Sequence, residues 1–157
     1  MELIITLKGS GKYAITDPKG RNIYSVTKKR KLVGNPITTL HDASGYALYT
    51  LIRTESGRKP AFQIVFNDSL YMTAQCTSLY VDPCIRFEGD GTVYELKGKM
   101  HNNLKLRKDD VEIGMLTTEA LTNGDPRYTL TVDNKCFDDI IPLFVVIVDK
   151  CFNGSNK

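Results

Sequence analysis

The chain has 157 residues, 41% of them hydrophobic and 25% charged, a composition that gives one soluble globular domain with a real core and excludes extended disorder. The net charge of +3 conceals an asymmetry: residues 1–80 carry 11 Lys/Arg against 5 Asp/Glu, and residues 81–157 carry 10 against 13.

The opening MELIITLKGS lacks a basic leader, and its apolar stretch is too short for a signal peptide, so the expected location is the cytoplasm. The GSGK at Gly9–Lys12 is not a phosphate loop. That motif needs a glycine five positions before the Gly-Lys pair and a Ser/Thr after the lysine, and this chain has Thr6 and Tyr13 there. From here to about residue 132 one phrase repeats: a short alternating segment, a turn rich in Gly, Asp, Asn or Pro, then another alternating segment. LIITL, YAIT, NIYSV, TTLHD, YALYTLI, AFQIVF, SLYMTAQC, CIRFEG, TVYELKG, NLKLRK, VEIGMLTT and RYTLTV make roughly twelve short strands by their period of two. So many twisted strands joined by tight turns close into an antiparallel barrel, because closure removes exposed edges. A barrel of that size has a lumen that facing side chains alone do not fill.

Ile140–Val148 breaks the alternation with nearly unrelieved hydrocarbon. It is too short to cross a bilayer as a helix, which takes about 20 apolar residues. Val145–Val148 have strand propensity. Against a strand stand Asp138 and Asp139 before the run, Pro142 early in it, Lys150 near its end and Gly154 just beyond, all of which suit the start and stop of a helix. A helix apolar on every side must be buried on every side. The expected fold is therefore mainly β, a barrel of about twelve antiparallel strands enclosing a C-terminal hydrophobic α-helix. Residues 1–152 form one domain, and 153–157 a disordered tail.

Two basic clusters are the candidate binding residues: Lys28, Lys29, Arg30 and Lys31, and, within the acid-free stretch from residue 97 to 108, Lys97, Lys99, Lys105, Arg107 and Lys108. The strand before the first cluster is expected to end near Thr27, leaving it at a barrel rim. In LKLRK, Leu104 and Leu106 face inward while Lys105 and Arg107 face out. Such clusters suit an anionic lipid surface, each charge near it contributing about 1 kcal/mol. Nucleic acid is not an expected partner, since aromatic residues are sparse in both clusters and the second half is acidic.

No catalytic constellation, cofactor or metal site is expected. His41 reads as a hairpin residue beside Asp42. The EGDGT around Asp90 lacks the alternating carboxylates and terminal Glu of a calcium loop. Cys76, Cys84, Cys136 and Cys151 lack zinc-site spacing and read as small apolar residues, although Cys76 and Cys84 flank one turn-rich stretch.

Read with two specific phrases, the sequence resembles the LURP-one-related group of the tubby-like superfamily, which also includes tubby C-terminal domains and phospholipid scramblases. The phrase aromatic-x-hydrophobic-x-Asp-x-x-Gly-x-x-hydrophobic occurs as Tyr13, Ile15, Asp17, Gly20 and Ile23. It recurs one hairpin later as Leu40, Asp42, Gly45, Leu48 and Ile52. These residues encode turns, each Asp bonding its own turn and each Gly supplying a positive φ. The resemblance implies a barrel around a central helix. It also implies a non-enzymatic role at the inner face of a membrane, with anionic phospholipid or phosphoinositide headgroups as ligands; a protein-interaction scaffold is the alternative.

Overall fold

The computed structural model describes residues 1–30, 32–34, 36–55 and 59–153. Among these residues the elements are β1 (Glu2–Gly9), β2 (Lys12–Thr16), β3 (Asn22–Lys29), β4 (Ile37–Asp42), β5 (Ala47–Glu55), β6 (Ala61–Phe66), β7 (Ser69–Ser78), β8 (Cys84–Gly89), β9 (Thr92–Met100), β10 (Asn103–Lys108), β11 (Val111–Ala120), β12 (Pro126–Val132) and α1 (Ile141–Phe152). Each strand pairs antiparallel with its neighbour in sequence, and β1 pairs with β12 from Glu2↔Thr131 to Thr6↔Arg127, closing the barrel.

Alternation along each strand sends one set of side chains into the lumen, such as Leu3 and Ile5, Leu104 and Leu106, or Tyr128, Leu130 and Val132, all buried. Four hairpins turn on two residues that are both left-handed, Ser10-Gly11, Asn67-Asp68, Asp90-Gly91 and Asp109-Asp110, with φ between 47° and 74°. These mirror-image turns match the right-handed twist of the strands they join. Two glycines serve a different need. A Cβ on Gly98 would lie 2.2 Å from the Asn103 carbonyl oxygen, and one on Gly114 would lie 2.3 Å from that of Thr131. Both are places where adjacent strands approach too closely for a side chain.

The apolar C-terminal run is the helix α1, threaded through the lumen, and every residue from Ile141 to Asp149 is buried. Burial on all sides overrides the strand propensity of Val145–Val148, because a strand there would need edge partners that the closed sheet does not offer. Pro142 occupies the first turn and Asp138 Oδ1 accepts the Ile140 N–H at 3.1 Å. Phe144 stacks on Phe87 with centroids 3.9 Å apart and meets Tyr94 edge-on at 5.1 Å. The lumen is thus packed. Asn153 caps the last turn through its N–H to the Asp149 carbonyl at 2.9 Å. Asn153, the first residue of the expected tail, thus belongs to the helix end, while Lys31 and residues 154–157 lie outside the described residues. Among those described, no helix is long and apolar enough to cross a membrane.

Candidate functional site

Because every strand reverses direction, the turns alternate between two ends of the barrel, and α1 runs from one to the other. At the end where α1 begins lie the turns carrying Asp17, Asp42, Asp68, Asp90 and Asp109-Asp110, together with Asp138 and Asp139. At the end where α1 finishes lie Lys12, the β3–β4 connection with Lys29 and Arg30, Arg53, Lys59, Lys97, Lys99 and Lys150. His101, in the β9–β10 turn, stacks on Phe152 of the last helical turn at 5.8 Å, which fixes that assignment. Glu55, Asp82, Glu119 and Asp125 also lie at the second end, and Lys19, Arg21, Lys108 and Lys135 at the first. It is therefore the balance of charge that is segregated along the barrel axis: carboxylates predominate beside the positive end of the helix dipole and cations beside its negative end. Both placements are favourable.

At the basic end, Asp149 is buried and satisfied by the strands around it. Tyr13 Oη donates to its Oδ2 and Tyr128 Oη to its Oδ1, both at 2.6 Å. Asn153 Nδ2 donates to Tyr128 Oη at 2.6 Å and to Asp149 Oδ1 at 3.3 Å. Burial, reinforced by the carboxylate, pushes both tyrosine hydroxyls well above their ordinary pKa. Lys150, next along the helix, is held below the ordinary lysine range, first by burial and then by the neighbouring cations Lys28 and Arg53, with Asp149 opposing. A cavity of about 150 Å³ opens here between the Gly9–Lys12 turn, Asp125, Asp149, Lys150 and Asn153. That is small beside the roughly 300–1,000 Å³ of typical small-molecule sites.

β3 runs to Lys29 rather than ending near Thr27, and Lys28 lies half-buried on the lumen side with Tyr24 and Val26. A Cβ on Gly11 would come within 2.4 Å of the Lys28 Cδ, so the lysine stem rests on that turn. Past the last packed layer an ammonium reaches water while its stem stays covered. Lys29 and Arg30 are exposed. The second cluster divides. Lys97, Lys99 and Lys105 line one shallow depression on the outer wall with Met100 and Asp82, and Lys105 approaches Glu112 at 3.9 Å. Arg107 sits between Glu95 on β9 and Glu112 on β11. Lys108 reaches over the Tyr94 ring at 5.7 Å, near the acidic end. The structure thus brings Lys29, Arg30, Lys97 and Lys99 to one end, on opposite sides of it, since β3 and β9 are half a ring apart. It does not bring Arg107 or Lys108 there.

The acidic end is lined with tyrosines. Tyr24 Oη donates to Asp139 Oδ1, and Tyr49, Phe66 and Tyr71 form an aromatic triangle with centroids 5.4, 5.7 and 5.8 Å apart. Burial, with Asp138 contributing, raises the Tyr94 hydroxyl to about 12. The repeated turn phrase behaves as its residues imply. Asp17 Oδ1 accepts the N–H groups of Lys19 and Arg21, each at 2.9 Å, and Asp42 Oδ1 accepts those of Ser44 and Tyr46 at 2.9 and 3.0 Å. Gly20 and Gly45 have φ of 84° and 91°. These bonds lower both carboxyl pKa values, led by the Arg21 N–H for Asp17 and by the Ser44 hydroxyl for Asp42.

His41 bonds Thr27 Oγ1 at 2.9 Å and the Gly45 carbonyl at 3.2 Å, a hairpin role. Cys76 and Cys84 are not register partners, since Cys76 faces Ile85 and Ser78 faces Cys84. The Cys76 thiol instead donates to the Ser78 carbonyl at 3.5 Å, and its interaction with the Cys151 thiol of the helix pulls Cys76 down in pKa and pushes Cys151 up. Among the described residues no group of His, Cys, Asp and Glu is placed to hold a metal ion.

The buried Asp149–Tyr13–Tyr128–Asn153 network was not singled out in the sequence. Its signal is there in retrospect: Asp149 is the first charge after the apolar run, and Tyr13 and Tyr128 occupy lumen positions of their alternating strands.

Comparison with known proteins bears on this architecture. No curated protein matches the sequence. A crystal structure of a protein from Arabidopsis thaliana shares the fold with a TM-score of 0.65 at 19% identity, over 99% of this chain and 91% of that one. The sequence profile of the LURP-one-related family matches residues 1–149, and with its strands, turns and central helix accounted for, the chain belongs to that family.

Proposed function

We propose that this is a non-enzymatic domain that binds anionic phospholipid headgroups, phosphoinositides included, at the basic end of its barrel, and so works peripherally at the inner face of a membrane. The observation that carries the reading is the segregation of charge along the barrel axis. Lys29 and Arg30 on one side of the rim and Lys97 and Lys99 on the other are too far round the ring to share a pocket. A plane laid across that end meets both groups at once. An anionic bilayer is such a plane, and each exposed cation adds about 1 kcal/mol near it. The packed lumen argues against a carrier of small molecules.

Sedimentation with vesicles of phosphatidylcholine alone, and with phosphatidylserine or a phosphoinositide added, tests this at physiological salt. Pelleting with the anionic vesicles, lost in a K29E/R30E/K97E/K99E variant, is the expected result. Negligible pelleting with every vesicle defeats the proposal.

A protein-docking scaffold is the second reading, and the aromatic triangle at the acidic end, with the exposed Leu70 beside it, favours it. Vesicle binding would be absent under that reading.

A further inference from the structure

Deepening the lipid reading, and resting on it, we infer that the barrel stands end-on in an anionic bilayer with three apolar loop tips inserted below the headgroups. The tips are Leu32-Val33 in the β3–β4 connection, Tyr80-Val81 in the β7–β8 connection, and Met100 where β9 turns into β10. Their exposures are high: 106% and 86%, 87% and 79%, and 62%. Single exposed apolar residues are ordinary on a soluble protein. What sets these apart is their position, because all three are at the end where α1 finishes, two within chain reversals and Met100 on the wall at the last residue of β9, beside its reversal.

Two of the three tips have neighbours of matching charge, while Tyr80-Val81 is followed by Asp82, which lies in one depression with Lys97 and Lys99. Leu32-Val33 follows Lys28, Lys29 and Arg30, and Met100 follows Lys97 and Lys99. Cations at headgroup level with apolar groups just beyond them is how interfacial segments divide the two layers of a membrane surface. The three connections are also spread round the ring, separated by four, two and six strands. Three separated points define a plane. The β7–β8 and β9–β10 connections are neighbours at this end, but the β3–β4 connection is four strands away, beyond the reach of one peptide groove, so the spacing favours a flat partner.

The other end also exposes apolar residues, among them Tyr46, Leu70 and Val111. There the adjacent turn residues are Asp42, Asp68 and Asp109-Asp110, and an anionic surface repels them. Charge therefore decides which end enters.

The chain contains no tryptophan, so one introduced indole reports its own surroundings. L32W and Y80W place it on two tips, and L70W places it at the acidic end; all three sites are exposed, so none tests the core. With mixed phosphatidylcholine and phosphatidylserine vesicles, L32W and Y80W emission shifts to the blue and is quenched by brominated acyl chains, while L70W emission does neither. An L32S/V33S/Y80S variant keeps its thermal midpoint and binds these vesicles on the order of tenfold more weakly. Pelleting without a blue shift at either tip overturns insertion and leaves headgroup binding standing. Quenching of L70W but not L32W reverses the orientation and overturns it too. A failure to pellet with any vesicle sinks both this inference and the reading beneath it.

Discussion

Tyr13 donates its hydroxyl across the lumen to Asp149 at 2.6 Å, joining β2 to the last turns of the central helix, and Tyr128 does the same from β12 to the other carboxylate oxygen. These two strands flank β1 on either side. The carboxylate thereby ties the helix to the seam where the barrel closes.

Removing one hydroxyl leaves a buried carboxylate with one donor fewer. Tyr13→Phe and Tyr128→Phe are each expected to cost about 1.5–3 kcal/mol, the range for hydrogen bonds to charged groups. The double variant should lose more than the sum, because the first truncation still leaves a tyrosine holding the carboxylate and the second leaves none. Urea midpoints with unchanged m values would check this, and simple additivity would show that the two tyrosines act independently.

The same tyrosines set an alkaline limit. A folded pKa raised above the unfolded value of about 10 contributes stability that is fully present below pH 10 and lost as pH rises beyond it. Tyr13, Tyr24, Tyr49 and Tyr128 are all raised by burial. Spectrophotometric titration should show part of the tyrosinate absorbance appearing in one step with loss of the far-ultraviolet β signal. A smooth titration completed before unfolding would contradict the buried network.

The central helix should respond to truncation without any face being spared. Leu143, Phe144, Val145 and Val146 are all fully buried although successive helical residues point in different directions, and Ile147, below Leu143 on the same face, is buried as well. Leu143→Ala and Ile147→Ala are expected to cost about 2–5 kcal/mol and Phe144→Ala about 3–5 kcal/mol. Phe144 belongs at the upper end because it stacks on Phe87 and meets Tyr94. An alanine scan by chemical denaturation that showed a tolerant stripe recurring every three to four residues would mean that one side of the helix is not enclosed.

Strand count, inward-facing residues and the turns of the repeated phrase were legible in the sequence because each is a local matter of period and turn chemistry. Tyr13, Ile15, Asp17 and Gly20 encode a strand and its exit within eight residues. The helix was legible for a negative reason: a run with no polar face fits nowhere but inside. What local pattern does not carry is distance round the ring. Nothing in the spacing of residue 28 and residue 97 says that β3 and β9 end half a barrel apart, or that Lys105 stays with Lys97 while Lys108 reaches the other end. The strand end expected near Thr27 fell two residues short of the observed one at Lys29. At a rim the stem of Lys28 lies on Gly11 and only its tip needs water.

The two turn aspartates make an acid limit. Their folded pKa values are depressed by backbone and side-chain donors. They therefore contribute stability that is present above the unfolded value of about 3.9 and lost as pH falls through the folded values. D17N/D42N is expected to be less stable than the wild type at neutral pH and to lose less on acidification between about pH 5 and pH 2. Thermal midpoints measured across that range decide it; parallel curves for the two proteins would show that these turns do not sense the charge.

Lys150 offers a test of whether the basic end is shaped by stability or by something that binds there. Burial and the nearby Lys28 and Arg53 depress its pKa, so its charge is unfavourable in the folded state at neutral pH. Lys150→Met keeps the stem and removes the charge. It should stabilise the protein at the low end of the about 0.5–2 kcal/mol that relieving surface charge gives, since solvent reaching the amine screens part of the repulsion. For a lysine depressed in the fold, the penalty is complete below the folded pKa and vanishes as pH rises toward the unfolded value of about 10.4. The advantage of the variant should therefore shrink between neutral pH and pH 10. An anion held at this end offsets the same repulsion, so inorganic phosphate should raise the thermal midpoint of the wild type more than chloride does at equal ionic strength, and should raise that of K150M less. If phosphate acts equally on both proteins, Lys150 is a structural lysine and takes no part in holding anions.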